Sequence, residues 1–205
     1  MARISLCATI LSFIVCWNAA VAAAAEPLDA GKAVVEKLHA TLLQVMMEAD
    51  TLGYVGRVDR LDPVLAETFD FKTISRIVTG KHWKSLAAEK RGDFVTLFAN
   101  LSAATYASNF DGFSGEVFTT LGVEERRGNL LVKTVIVTGD GDRVTLDYVL
   151  RDADGMWRIV NVIADGVSDL SLKRADYTAV IKSEGFDSLV AKLNGKIDNY
   201  GSEGR

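Results

Sequence analysis

Few side chains in this 205-residue chain have the types and spacing that chemistry requires. A catalytic or metal centre needs titratable groups that converge. There are two histidines, His39 and His82. Neither has an Asp or Ser at a spacing that suggests a triad, and two isolated histidines do not make a metal site. Each reads as a surface or interface residue. Gly112-Phe113-Ser114-Gly115 lacks the second glycine a nucleophile elbow needs, and it precedes a strand. Asp152-Ala153-Asp154-Gly155 is a calcium-loop fragment without the remaining ligands. Gly139-Asp140-Gly141 is not followed by the Gly-Lys-Ser or Gly-Lys-Thr of a phosphate cradle. Both read as turns. Asp147 and Asp165 remain as candidate carboxylates, but capping or salt bridging accounts for them, and Asp147 alternates out of phase with Leu146 and Tyr148. No catalytic residue, cofactor or metal site is assigned, and an enzyme is not expected.

Both cysteines, Cys7 and Cys16, lie in a segment with the pattern of an export signal. Arg3 supplies the positive end, residues 4–17 are mostly apolar, and Ala23-Ala24-Ala25 before Glu26 offers small residues to signal peptidase. Cleavage there divides the chain into a leader, 1–25, and a single mature domain, 26–205. The mature domain contains no cysteine and would work outside the cytoplasm with neither a disulfide nor a thiol nucleophile. Two other readings compete. An uncleaved inner-membrane anchor is weakened by Ser5, Thr9, Ser12 and Asn18 and by the lack of a basic cluster after it. A lipoprotein signal is disfavoured because Cys7 follows Leu6 and Cys16 follows Val15, not small residues. The full chain has 23 basic and 27 acidic residues, a formal charge of −4 that becomes −5 once Arg3 is lost. That balance argues against nucleic acid, which rewards clustered Lys and Arg.

The elements that must position any site fall into two textures. Residues 27 to about 110 are helical. Pro27 suits a first helical turn, and Val34, Leu38, Leu42, Val45 and Ala49 mark one apolar face. Gly53 and Gly56 break the run, and helices are expected over 57–68, 71–78 and 88–108, with Gly80 as a cap. Residues 116–123, 130–138, 143–151 and 156–163 are strands separated by Gly- and Asp-rich turns, an antiparallel meander of about four strands. The tail is helical again over 170–183 and 186–194. Helices, a meander and helices imply an α+β fold with helices on one face of a curved sheet. Leu146, Tyr148 and Leu150 share one strand face, as do Val160 and Val162, while Thr145, Asp147, Arg151 and Asn161 lie opposite. Such an apolar face serves equally as packed core or as a pocket wall.

Several strings in order resemble a known family. They are Phe69-Asp70-Phe71, Ile74-Ser75-Arg76, Val78-Thr79-Gly80-Lys81-His82-Trp83, then Phe94, Phe98 and Thr105-Tyr106. Downstream come Tyr148, Trp157-Arg158-Ile159-Val160-Asn161-Val162 and Asp165-Gly166-Val167-Ser168. Together, over about residues 34–197, they resemble the MlaC family of periplasmic lipid carriers, also called toluene-tolerance auxiliary proteins. Thr79, His82 and Asp165 depart from the phospholipid branch, and 105–112 with 169–177 look closer to the hopanoid-associated HpnM branch. The resemblance implies an NTF2-like cone of helices and sheet with an apolar cavity. It implies a carrier of phospholipid or hopanoid between an inner-membrane lipid transporter and an outer-membrane complex. The protein is expected to be a monomer.

For such a cavity the lipid-binding candidates are Phe71, Ile74, Phe98, Leu101, Tyr106, Val135, Leu146, Tyr148, Val160, Val162 and Val167. Tyr148 stands out because a buried hydroxyl needs a partner, and a lipid ester would serve. Asp70 and Arg76 read as a structural pair, Trp83 and Trp157 as packing anchors, and Arg174 as part of a solvated helix face. The alternatives are an exported hydrolase or isomerase on the same cone, and a scaffold that binds only protein.

Overall fold

The computed structural model describes residues 27–203, so the expected leader lies outside the described residues. Helix α1 (Pro27–Met47) buries Val35, Leu38, Leu42 and Val45, a stripe at three- and four-residue spacing. Helix α2 (Ala49–Thr68) starts eight residues earlier than the glycines suggest. Only Gly53 leaves helical geometry, at φ 58° and ψ −177°, a backbone conformation that a side chain disfavours. The chain kinks there and resumes, and Gly56 stays helical. Helix α3 (Phe71–Thr79) is capped by Asp70, whose carboxylate accepts from the Thr73 amide at 2.9 Å. A 3₁₀ turn (Gly80–Ser85) leads to the long helix α4 (Ala88–Asn109). The tail forms α5 (Asp169–Glu184) and α6 (Phe186–Glu203).

Between α4 and α5 lies one antiparallel sheet in sequential order: β1 (Val117–Arg126), β2 (Asn129–Val137), β3 (Arg143–Ala153), β4 (Met156–Ala164) and β5 (Val167–Ser168). The α+β architecture matches the sequence expectation, with one strand more. Strand β5 pairs with the end of β4 through the two-residue turn Asp165-Gly166, at φ 46° and 80°, the signature of a type I′ hairpin.

Register decides which side chains face the helices. Tyr148 lies opposite Val132 on one side and Val162 on the other. This face meets α1, since Tyr148 bonds to His39 of that helix. The neighbouring set, Asp147 with Lys133 and Ile163, lies on the far face. Between Val149 and Leu150 the β4 register slips, so that Val160 is an extra residue in the ladder. This β-bulge lets Ile159 and Val162 both face the helices despite their odd spacing.

A buried arginine fixes how the helices meet. Arg57 of α2 donates from Nε to the Ala107 carbonyl at 2.9 Å and from Nη1 to the Ala49 carbonyl at 3.3 Å. The first carbonyl lies in the last turn of α4, where unpaired carbonyls and the negative end of the helix dipole gather. Arg57→Ala strips a charged donor from both carbonyls and should cost about 3 kcal/mol. Urea unfolding should show a lower midpoint, and an unchanged midpoint would mean that this clamp does not hold α4.

Candidate functional site

Five elements converge on one cavity of about 260 Å³ between the helices and the sheet. Strand β3 contributes Leu146 and Tyr148, in phase on the helix-facing side, and β4 contributes Val160, Val162 and Ala164. From α4 come Phe98, Leu101, Ser102, Thr105, Tyr106 and Asn109, recurring every three or four residues. Phe71 and Ile74 of α3, with Phe69 just before it, close another side. The first turn of α5 adds Asp169, Leu170 and Lys173. The walls are mostly apolar. Asn109, Ala164 and Asp169 are exposed, which sets the mouth between the end of α4 and the start of α5.

Aromatic rings build the inner wall. Phe69 stacks on Phe71 at 5.6 Å, Phe71 meets Phe98 at 6.2 Å, and Tyr106 stacks on Phe110 at 5.7 Å. At the base the Tyr148 hydroxyl and His39 Nε2 share a hydrogen bond of 3.0 Å. His39 is only 4% exposed and stacks on Phe118 at 4.1 Å. Burial lowers its pKa from 6.5 to about 4, so the ring is neutral at physiological pH. Burial pushes the Tyr148 pKa well up, so its hydroxyl keeps its proton. The rim is pinned by Asn161, whose Oδ1 accepts from the Leu170 amide and the Ser168 hydroxyl, both at 3.1 Å. Ser168 in turn caps α5 by accepting from the Ser171 amide at 3.1 Å. Lys173 and Asp169 form an ion pair at the mouth.

Nine of the candidates named from the sequence line this cavity: Phe71, Ile74, Phe98, Leu101, Tyr106, Leu146, Tyr148, Val160 and Val162. Two do not, and both are corrections. Val135 is 3% exposed but pairs with Thr119 and Thr145, so it falls on the far face with Lys133. Val167 is 51% exposed, carried outward by the short strand β5. His39, expected as a surface or interface residue, is instead the buried partner of Tyr148. Asp70 pairs with Arg151 at 3.5 Å rather than with Arg76. Asp165 accepts from the Thr145 amide at 2.8 Å and its hydroxyl at 3.1 Å, a capping role. Sequence reasoning missed Ser102, Thr105 and Asn109, although continuing the α4 period past Leu101 reaches them. It also missed Asp169, Leu170 and Lys173, which no apolar pattern signals. Among the described residues no three His, Cys, Asp or Glu side chains are placed to hold a metal ion, and no helix is long and apolar enough to cross a membrane.

The chain resembles known proteins in family model, in sequence and in fold. The family model described as MlaC protein matches residues 36–195. The intermembrane phospholipid transport system binding protein MlaC of Haemophilus influenzae is 24% identical over 121 residues, which cover 57% of this chain and 56% of that protein. The match thus spans little more than half the length of that relative. A solved structure of a phospholipid-binding protein from Ralstonia solanacearum, in complex with a phospholipid, superposes with a TM-score of 0.74 at 17% identity. It covers 83% of this chain and 98% of that one, and at this identity the likeness shows a shared fold.

The buried histidine ties stability to acidity. An unfolded histidine takes up its proton near pH 6.5, whereas folded His39 does so near pH 4. Between these values the unfolded state binds more protons, so stability falls as the pH falls, by on the order of 3 kcal/mol over the window. His39→Gln should lose that component. Denaturant titrations of both proteins at pH 7 and pH 4.5 measure it, and an identical pH dependence in the two would refute it.

Proposed function

The chain belongs to the MlaC protein family, and from that premise we propose that it is a periplasmic phospholipid carrier. It holds the acyl chains in the cavity, leaves the head group at the mouth and performs no covalent chemistry. Leaving an acyl chain in water costs about 0.8 kcal/mol per methylene, so a free lipid does not cross an aqueous compartment unaided. An apolar cavity replaces that lost contact. Delivery between an inner-membrane transporter and an outer-membrane complex then needs only a difference in affinity between the partners. The leader over residues 1–25, cleaved before Glu26, would place the protein there as a mobile, monomeric shuttle.

The observation that carries this reading is the cavity, with aromatic and aliphatic walls and a mouth that gathers Asn109, Asp169 and Lys173. Its volume of about 260 Å³ lies just under the roughly 300–1,000 Å³ of pockets that hold drug-sized ligands. Two acyl chains therefore require lining side chains to swing aside. An exported enzyme finds less support. Asp147 sits on the far face of the sheet, and His39 lies behind Tyr148, outside the cavity lining.

Native mass spectrometry and lipid extraction of protein taken from the periplasm test this directly. One phospholipid per protein is expected. A hopanoid in its place would reassign the cargo, and a protein that never carries lipid would sink the proposal. Leu146→Trp and Val162→Trp should each lower bound lipid several-fold in a protein that stays folded. Unchanged lipid content in both would show that β3 and β4 do not contact the cargo.

A further inference from the structure

Four side-chain hydroxyls line the cavity, and three are already engaged. Ser102 donates to the Phe98 carbonyl at 2.8 Å and Thr105 to the Leu101 carbonyl at 2.7 Å, each within its own helix. Tyr148 is joined to His39. The fourth, Tyr106, makes no hydrogen bond to protein among the described residues. Its oxygen is not sealed away either: among the described residues the one sealed, unpaired side-chain polar atom is Ser75 Oγ. The Tyr106 hydroxyl therefore opens on the cavity that its ring helps to line.

The ring is held on two sides. Phe110 stacks against it at 5.7 Å, and Phe69 meets it edge-on at 6.2 Å. Burial raises its pKa, and the Asp169 carboxylate pushes the same way, so the group remains a neutral donor. Position on α4 locates it. Tyr106 lies about one turn before Asn109, the exposed lining residue at the mouth, and about one turn after Ser102 deeper along the helix. It stands one helical turn inside the rim of the cavity. With tails inside and a head group at the rim, that is the depth of the acyl ester.

We propose that the Tyr106 hydroxyl donates a hydrogen bond to an ester carbonyl of the bound glycerolipid and so selects ester-linked over ether-linked or ring-hydrocarbon cargo. This rests on the phospholipid-carrier reading above. A donor left unpaired in an apolar site is a penalty against any ligand that brings no acceptor there. A dialkyl ether phospholipid has the same tails and head group and lacks only the carbonyls. The difference between the two lipids therefore isolates this contact.

The test loads full-length mature protein, stripped of lipid, from vesicles containing equal amounts of diacyl and dialkyl phosphatidylethanolamine of matched chain length. Native mass spectrometry reads the bound ratio. Wild type should prefer the diacyl lipid by roughly three- to tenfold, the value of one neutral hydrogen bond. Tyr106→Phe, which keeps the ring and its stacking, should take the two equally. Equal loading by wild type would overturn the inference, as would an undiminished preference in Tyr106→Phe. If the variant fails to fold, carbon-13 labelled ester carbonyls bound to wild type decide. Their infrared stretch should move to lower frequency than in an apolar solvent, and an unmoved band overturns the proposal. Wild type that loads neither lipid would instead overturn the carrier reading on which this one stands.

Discussion

A tyrosine hydroxyl shut inside an apolar interior costs about 1–3 kcal/mol unless it finds a partner, and Tyr148 finds His39 beneath the cavity. The bond joins the middle of β3 to the middle of α1, elements more than a hundred residues apart in sequence. His39 also stacks on Phe118 of β1, so one imidazole holds a helix and two strands in fixed relation. The remaining lining of the sheet is placed from that point. Leu146 precedes Tyr148 by one pleat on the same face, and Val162 sits across the ladder from it. The partner is neutral because burial disfavours its charged form, and the arrangement therefore holds best above the pH at which the ring would protonate.

The opposite wall depends on helix ends rather than on strand parity. Arg57 satisfies a carbonyl in the last turn of α4 and steadies the segment that carries Tyr106 and Asn109. Across the mouth, Asn161 grips the first amide of α5 that reaches it, and Ser168 caps the same helix. Asn161 acts from a strand position that alternation assigns to the far face, and the extra residue at Val160 is what disturbs that alternation. Base, wall and rim are thus held by polar contacts. The apolar side chains between them carry no directional bonds and can rearrange without breaking any.

Much of this was legible in the sequence because it follows from period. The three- and four-residue spacing of α1 and α4, and the alternation of Leu146, Tyr148 and Leu150, anticipated the helices, the sheet and most of the apolar lining. What escaped the sequence was non-local. The face of Val135 follows from its register against Thr119 and Thr145, and the one local sign of it is Lys133, two residues earlier on the same face. His39 looked solitary because its partner lies 109 residues away. Gly53 and Gly56 looked alike in sequence, yet one kinks the chain and the other is ordinary helix. Strand β5 has a turn signal in Asp165-Gly166, but only two residues pair after it, too few to show an alternating pattern.

The I′ turn after β4 has an evolutionary consequence. Wall, turn, edge strand, helix cap and rim ion pair all come from one short stretch, from Asn161 to Lys173. Its first part, through Ala164, belongs to the interior wall, and the turn, edge strand, helix cap and rim ion pair follow from Asp165 onward. The doorway is a cassette. Substitutions from Asp165 to Lys173 would alter the rim while leaving Tyr148, His39 and the α1 stripe in place, so rim and interior can change separately.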